Sequence, residues 1–141
     1  MLALKAGRPI KMQYSREESF FGHVHRHPAT IFMRHHADAN GQIVKIDARF
    51  VFDGGAYTST SPAVLINGIT HTQGPYKCDN ATVAGYAVRT NNPPCGAMRG
   101  FGVVQACFAH ESQMDKIAAA VGKSPVEVRL INAMVTGDPL I

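Results

Sequence analysis

Residues 30–52 read TIFMRHHADANGQIVKIDARFVF, and this stretch predicts a β-hairpin. Two runs of largely apolar residues, 30–37 and 42–52, flank the tetrapeptide Asp38-Ala39-Asn40-Gly41. The Asn-Gly pair readily adopts the positive φ angles that a tight hairpin turn requires. Within the second run the alternation of apolar and polar residues slips, which indicates a bulge or partial burial on both faces. The hairpin is therefore the expected centre of the fold.

The sequence before the hairpin predicts three short elements. Residues 1–6 are rich in Leu and Ala and resemble the last turns of a helix that Gly7-Arg8-Pro9 ends, so the chain is expected to begin inside an element. Residues 10–14 alternate between apolar and polar, which predicts a half-buried strand. Ser15 and Glu18 have the spacing of a capping box, which predicts a short helix ending near residue 22.

The sequence after the hairpin predicts one further strand and three helices. Glycine and proline mark most of the boundaries: they supply a backbone bend, a helix start, a helix stop and a rigid loop. The predicted elements are a bend at 53–57, a helix at 62–72, a strand at 82–90, a loop at 91–96, a helix at 103–121 that Gly122 ends, and a last helix that Ser124 and Pro125 begin. The prediction is an α+β fold, in which a hairpin-rich mixed sheet is followed by helices.

Composition excludes several classes of protein. The 141 residues are 45% hydrophobic and 17% charged, as in an ordinary globular domain. The net charge of +4 comes from scattered Lys and Arg, without the clustered stripe that nucleic-acid binding needs. No apolar run reaches the ~18 residues of a membrane span. Three widely spaced cysteines without a CxxC pair argue against a disulfide framework or zinc ribbon and favour a reducing, cytoplasmic setting.

The histidines offer one candidate metal site. His23, His25 and His27 occupy alternate positions, and on a strand three imidazoles on one face could bind zinc or copper. The alternative is a polar loop whose histidines hydrogen-bond to water or backbone, and Pro28 would interrupt such a strand. A hydrolase is not indicated, because no GxSxG motif is present.

The loop at residues 91–105, NNPPCGAMRGFGVVQ, contains the densest set of candidate site residues. Its glycines allow a ligand to approach the backbone closely. The helix start behind them offers unpaired N–H groups and partial positive charge, which suit an oxyanion or a phosphate. Arg99 adds a planar cation, and Phe101 adds a ring face for a flat substrate. The alternative is a structural loop with an exposed Arg and a core Phe.

Five stretches carry a resemblance to a known family. The run TNNPPCGAMRGFGVVQACFAHESQMDKIA, residues 90–118, resembles the TNxPxxGAxRGFGxPQ signature of the molybdopterin-binding subunit of xanthine dehydrogenases and aldehyde oxidases. Four other stretches agree in the same order, so that the resemblance covers essentially the whole chain: GRPIKMQYSREESF, RHPATIFMRHHADANGQIVKIDARFVFDGGAY, GPYKCDNATVAGYAVRTNNPP and KSPVEVRLINAMVTGD. The chain is therefore expected to be a single fragment, residues 1–141, of a larger molybdopterin-binding domain.

The resemblance also assigns candidate site residues. It places the molybdenum cofactor at Met98, Arg99 and Gly100, with the metal nearest the backbone of Arg99, and it makes Phe101 the ring that sandwiches the substrate. Asn67 matches the position of an Arg that orients the substrate in purine-specific members, and an amide cannot make the charge-assisted contact of an Arg. Met98 replaces the commoner aromatic residue of the motif, and Val104 replaces the commoner Pro.

The implied activity is hydroxylation of a purine-like heterocycle or an aldehyde, with water as the oxygen source. The family's base, a Glu in a GxGE-like segment, would lie beyond residue 141, and a glycine-rich GGxFGGKE motif would lie before residue 1. No catalytic residue is therefore assigned, and the isolated chain is expected to be inactive and to expose core surface. The implied partners are the rest of the molybdenum subunit and modules carrying iron–sulfur clusters and FAD. The alternative is a truncated structural or assembly fragment without catalysis.

Overall fold

The computed structural model describes residues 1–138. In this part of the chain five helices and three strands follow one another. In chain order they are α1 (Leu2–Ala6), α2 (Arg16–Gly22), β1 (Ala29–Ala37), β2 (Ile43–Gly55), α3 (Ser61–Thr70), β3 (Ala81–Arg89), α4 (Val103–Val121) and α5 (Pro125–Asn132).

The predicted hairpin is confirmed, but only Gly41 of the Asn-Gly pair has a positive φ angle (+87°), and Asn40 does not. Strands β1 and β2 pair antiparallel, and the Asp38 carboxylate accepts hydrogen bonds from the backbone N–H groups of Asn40 and Gln42 in the connecting turn. His36 pairs with Lys45 and Ala37 with Ile43, so Val44 is the extra residue of a bulge. The bulge explains why the apolar alternation of β2 slips at this point.

The three strands form a mixed sheet with the order β1-β2-β3, because β3 pairs parallel to the free edge of β2. The predicted α+β class is confirmed. The bend predicted at residues 53–57 is partly wrong, since β2 continues to Gly55, which pairs with Arg89. A glycine is required there: a β-carbon on Gly55 would lie 2.2 Å from the carbonyl oxygen of Pro93.

Helices α3 and α4 pack on one face of the sheet, over alternate side chains of β2. One apolar cluster lies near the hairpin turn and includes Ile46 and Met114, and a second lies towards the end of β2 and includes Phe50 and Phe52. Phe50 and Phe52 are fully buried and meet edge to face, with ring centroids 6.2 Å apart. The second cluster supports the loop that precedes α4, because Phe101 packs against it.

The helix boundaries follow the predicted signals. Both capping boxes are present: Ser15 with Glu18 begins α2, and Ser124 with Glu127 begins α5. Helix α4 ends at Gly122, which adopts the left-handed conformation. The helix predicted at 62–72 and the strand predicted at 82–90 are confirmed as α3 and β3 with small shifts of their ends.

The strand predicted at residues 10–14 is wrong. These residues form no regular element, and their side chains are exposed. An alternating pattern produces a strand only when a neighbouring strand supplies hydrogen-bond partners and a core covers the apolar face. In residues 1–138 neither surrounds this segment, and the short helices on either side of it bury no residue. Among the described residues, no helix is long and apolar enough to cross a membrane.

Candidate functional site

The loop from Gly96 to Gly102 has an unusual backbone immediately before helix α4. Gly100, Phe101 and Gly102 have φ angles of +90°, +47° and +96°, so three consecutive residues have positive φ. For Phe101 this conformation is unfavourable, because its β-carbon crowds the backbone. The loop therefore needs contacts from elsewhere in the chain to hold it in place.

Part of this support comes from the close approach of Gly102 to helix α3. A β-carbon on Gly102 would lie 2.2 Å from the carbonyl oxygen of Val64 and 3.0 Å from the backbone nitrogen of Gly68. On the other side, a β-carbon on Gly68 would lie 3.2 Å from the Phe52 ring. Glycines at 68 and 102 thus let the loop rest directly on the backbone of α3.

Each of the four carbonyl groups from Met98 to Phe101 accepts a hydrogen bond. Within the loop, the N–H of Phe101 donates to Met98 O at 2.7 Å, and the N–H of Val103 donates to Gly100 O at 2.9 Å. The other two acceptors are reached from outside the loop. Arg26 Nη2 donates to Arg99 O at 2.6 Å, and Asn67 Nδ2 donates to Phe101 O at 2.8 Å.

Several N–H groups in the loop remain available for a ligand. In residues 1–138 the backbone N–H groups of Arg99, Gly100 and Gly102 donate no hydrogen bond, and Gly102 caps α4 without a side-chain acceptor. Unpaired N–H groups at the start of a 19-residue helix form a region of positive potential. Arg99 and Gly100 are exposed, so their N–H groups can be reached by an anionic or oxo oxygen, whereas Gly102 is buried and its N–H is a buried donor without an acceptor among the described residues.

The structure brings the sequence-predicted residues together around this loop. Met98, Phe101 and Asn67 are half-buried, whereas Arg99 and Gly100 are exposed. Asn67 and Phe101 come from different elements, and the hydrogen bond between them joins α3 to the loop. The amide nitrogen of Asn67 is thereby committed to the backbone of Phe101.

A partly buried polar layer lies next to the loop, and most of it was not predicted from the sequence. His27 is buried and shares a hydrogen bond of 2.8 Å with the hydroxyl of Ser61, and burial lowers its pKa. Asp53 accepts hydrogen bonds from Thr90, Gly55 and Asn92, which lower the pKa of its carboxyl group. The only sequence signal for this layer is the position of Asp53 at the glycine pair that ends β2.

Three polar atoms in this region are buried without a hydrogen-bond partner among the described residues. They are Arg26 Nη1, His27 Nδ1 and Gln105 Oε1. Another atom of each side chain is engaged: Arg26 Nη2 donates to Arg99 O, His27 Nε2 bonds to the Ser61 hydroxyl, and Gln105 Nε2 donates to His27 O at 3.1 Å. A buried donor or acceptor without a partner is costly unless a ligand or a water completes it.

The alternative of a histidine metal site is not supported. His25 is joined through its backbone to the loop, His27 bonds to Ser61, and His23 Nδ1 lies 2.6 Å from the Val24 carbonyl oxygen. Across residues 1–138, no group of three or more His, Cys, Asp or Glu side chains is arranged to hold a metal ion. The observed contacts correspond to the alternative of histidines that bond to backbone and hydroxyl groups.

Comparison with known proteins identifies the class to which this fold and loop belong. Residues 1–133 match the family model of the molybdopterin cofactor-binding domain. The chain therefore belongs to the molybdopterin cofactor-binding domain family, as the sequence resemblance predicted.

Two relatives illustrate the range of that family. The chain is 40% identical over 140 residues to the nicotinate dehydrogenase large molybdopterin subunit of Eubacterium barkeri, covering 99% of this chain and 33% of that protein. It is also 40% identical over 132 residues to a probable xanthine dehydrogenase subunit of Bacillus subtilis, covering 94% of this chain and 18% of that protein. The chain thus spans a third or less of the length of these relatives.

The solved structures agree with this assignment. The aldehyde oxidoreductase from Desulfovibrio gigas superposes with a TM-score of 0.90 at 27% identity, covering 99% of this chain and 15% of that chain. Quinoline 2-oxidoreductase from Pseudomonas putida 86 superposes with a TM-score of 0.83 at 31% identity, covering 97% of this chain and 18% of that chain. The fold described above is a part of these larger proteins.

Proposed function

We propose that residues 1–141 are one segment of a larger molybdopterin-binding domain and contribute the loop 98–101 to the site of a molybdenum hydroxylase. The substrate class is a heterocycle or an aldehyde, and water is the source of the oxygen atom. The observation that carries the proposal is the loop itself, a matching family segment in which the backbone N–H groups of the exposed residues Arg99 and Gly100 donate no hydrogen bond within residues 1–138.

The residues present fit a cofactor of this kind. The N–H groups of the loop and the start of α4 suit oxygen atoms of an anionic group, and the exposed Gly100 leaves the backbone accessible. Met98, Arg99 and Gly100 would hold the cofactor, with the backbone of Arg99 nearest the metal. When bound, this cofactor supplies a Lewis-acidic metal that accepts electrons.

We assign Phe101 and Asn67 to the substrate-binding part of the site. Phe101 would present one ring face to a flat substrate while its other side packs on the second apolar cluster. Asn67 supplies no positive charge, and its amide nitrogen already donates to Phe101 O. We therefore propose that the site favours a neutral heterocycle or an aldehyde over a purine that requires a charge-assisted contact.

The segment would act together with other parts of the molybdenum subunit and with modules that carry iron–sulfur clusters and FAD. The large exposed apolar side chains support further packing partners, since exposed apolar surface of this kind often marks an interface. The most exposed aromatic side chains in the described part of the chain are Phe21, Phe108, Tyr57 and Phe20. We expect the 141 residues alone to be inactive, because the resemblance places the general base, a Glu, in a different segment of the subunit. Loss of a general base typically costs ~10²–10⁴ in rate.

A structural or assembly role without catalysis is the competing proposal. It is supported by the partly buried hydrogen-bond network next to the loop, which would stabilise a domain whether or not a cofactor were bound. The two proposals differ in whether the full-length protein contains molybdenum and whether it turns over a substrate.

The test is to purify the full-length protein that carries residues 1–141 and to measure its molybdenum and pterin content. It is then assayed with an aldehyde and with a neutral N-heterocycle in ¹⁸O-labelled water, with a dye as electron acceptor. We expect bound molybdenum and product carrying ¹⁸O. Folded full-length protein that lacks both molybdenum and turnover would favour the structural role.

A further inference from the structure

Two side chains from outside the loop fix the direction of two backbone N–H groups inside it. A trans peptide group is planar, so its C=O and N–H point in opposite directions. A side chain that fixes the carbonyl of one residue therefore fixes the direction of the N–H of the next residue. In this loop Arg26 holds the carbonyl of Arg99, and Asn67 holds the carbonyl of Phe101.

The next residues along the chain are Gly100 and Gly102. Their N–H groups donate no hydrogen bond in the described part of the chain. The N–H of Phe101, which lies between them, donates to Met98 O inside the loop. Both glycines have positive φ and lack a β-carbon that would limit rotation of the adjoining peptide groups. Without outside contacts, these two peptide planes would be the ones most easily reoriented.

Arg26 is well placed to fix one of them because its own backbone is held on both sides. The N–H of His25 donates to Pro94 O at 3.2 Å, and the N–H of Gly96 donates to His25 O at 3.0 Å. On the other side, Gln105 on helix α4 donates to His27 O. The guanidinium group therefore extends from a segment that is itself joined to both ends of the loop.

We propose that Arg26 and Asn67 are positioning residues that aim the N–H groups of Gly100 and Gly102 at a ligand oxygen. The ligand class is an anionic or oxo oxygen belonging to the cofactor, and this step rests on the proposed function. Neither side chain needs to touch the reacting atoms in this role. The second guanidinium nitrogen, Nη1, is buried without a protein partner in residues 1–138, and its positive charge adds to the potential that favours such an oxygen.

Conservative replacements of the two side chains can distinguish a purely structural contact from a positioning contact, because each replacement removes a different property of the side chain. Arg26→Lys keeps the charge and can donate one hydrogen bond, but it lacks the planar fork that fixes direction. Arg26→Gln removes the charge and shortens the reach. Asn67→Asp keeps the shape of the side chain and loses the donor.

The experiment compares Arg26→Gln, Arg26→Lys and Asn67→Asp in the full-length protein, with Arg34→Gln as the control. Arg34 is an exposed arginine on β1 that lies outside the loop. Hydrogen exchange of the Phe101 and Val103 amides is measured in cofactor-free protein, because their hydrogen bonds define the loop. Molybdenum per protein is measured in protein expressed with molybdate, and circular dichroism checks the fold.

We expect Arg26→Gln and Asn67→Asp to speed exchange at Phe101 and Val103 by about tenfold and to lower molybdenum retention several-fold. Arg26→Lys should recover part of both losses, and Arg34→Gln should match the wild type. A folded Arg26→Gln or Asn67→Asp protein with wild-type exchange, or with faster exchange but wild-type molybdenum content, would overturn the positioning role. Wild-type protein that binds no molybdenum would instead overturn the proposed function.

Discussion

Gly102 lies so close to Val64 that a β-carbon at position 102 would come within 2.2 Å of the Val64 carbonyl oxygen. This contact seats the loop on helix α3 and sets the start of α4. The hydrogen bond from Asn67 to Phe101 O depends on the same seating, because both partners lie within one turn of the contact.

We predict that Gly102→Ala lowers the free energy of unfolding by roughly 3 kcal/mol or more, through the clash with Val64 O added to the positive φ of +96°. Gly122→Ala is the matched control. Gly122 also has positive φ (+68°), but a β-carbon there meets nothing within 4 Å, so only the conformational cost of about 1 kcal/mol remains. Urea denaturation measures both, and equal losses would contradict the account.

A second prediction concerns Asn132, which is fully buried at the end of α5. Its side-chain oxygen accepts from the N–H of Ile43 at 2.8 Å, and its nitrogen donates to the carbonyl oxygens of Gly41 and Val128. Asn132→Ala leaves buried backbone groups unpaired, so we expect a loss of about 2–4 kcal/mol. The exposed Asn40→Ala should cost less than about 1 kcal/mol. A small effect of Asn132→Ala in urea denaturation would show that α5 is not tied to the hairpin in this way.

A third prediction concerns pH. Burial, aided by repulsion from His110 and His36, lowers the pKa of His35 to about 4 from its ordinary value of 6.5. The folded state thus binds this proton less readily than the unfolded state, and stability falls as the pH drops from 6.5 towards 4. Between about pH 7.5 and 4.5, wild-type protein should lose about 2 kcal/mol more than His35→Leu.

The other buried histidines, His27 and His110, also have lowered pKa values and contribute in the same direction in both proteins. The difference between wild type and His35→Leu therefore reports the contribution of His35 together with its repulsion from His110 and His36. Parallel pH profiles for the two proteins would contradict the prediction.

Local signals predicted most of the fold. Capping boxes at Ser15 and Ser124, the Asn-Gly turn and Gly122 act through neighbours a few residues away, so the sequence pattern is sufficient to identify them. The alternation at residues 10–14 failed for the opposite reason. A strand needs a distant partner, and no local pattern reports whether one exists.

The candidate site likewise contains residues that the sequence predicted and contacts that it did not. The glycines and Arg99 of the loop were identified from the motif, but the contacts that hold the loop were not. Arg26 and Arg99, which one hydrogen bond joins, lie 73 positions apart in the sequence, and Asn67 and Phe101, which another joins, lie 34 positions apart. The assignment of Asn67 to the substrate side stays a prediction. The structure adds that its amide nitrogen donates to Phe101 O, a contact that depends on tertiary packing.

A fourth prediction concerns the exposed aromatic residues. Phe21 and Phe108 are 83% and 78% exposed, and apolar surface of this kind binds hydrophobic dyes. The 141-residue chain on its own should enhance the fluorescence of such a dye and associate in solution. Phe21→Ser with Phe108→Ser should reduce both signals, whereas Thr82→Ser on the sheet should not. A monomeric chain without dye binding would argue against further packing partners.

In the function proposed above, loop 98–101 meets the cofactor through Arg99 and the substrate through Phe101. We predict that Arg99→Ala in the full-length protein lowers molybdenum per protein, because it removes the planar cation beside the backbone N–H groups that favours an anionic cofactor. Phe101→Ala should retain molybdenum and reduce kcat/KM several-fold, because loss of one stacking face is worth ~0.5–1.5 kcal/mol beyond burial. Lys123→Ala, at an exposed residue that follows the end of α4, serves as a control that should change neither quantity.

The most direct measurement is molybdenum per protein, determined side by side with kcat/KM for wild type, Arg99→Ala and Phe101→Ala. We expect a loss of metal in Arg99→Ala and, in Phe101→Ala, wild-type metal with reduced kcat/KM. If both folded variants match the wild type in metal content and in kcat/KM, the loop is structural and the assignment of the site to residues 98–101 is wrong.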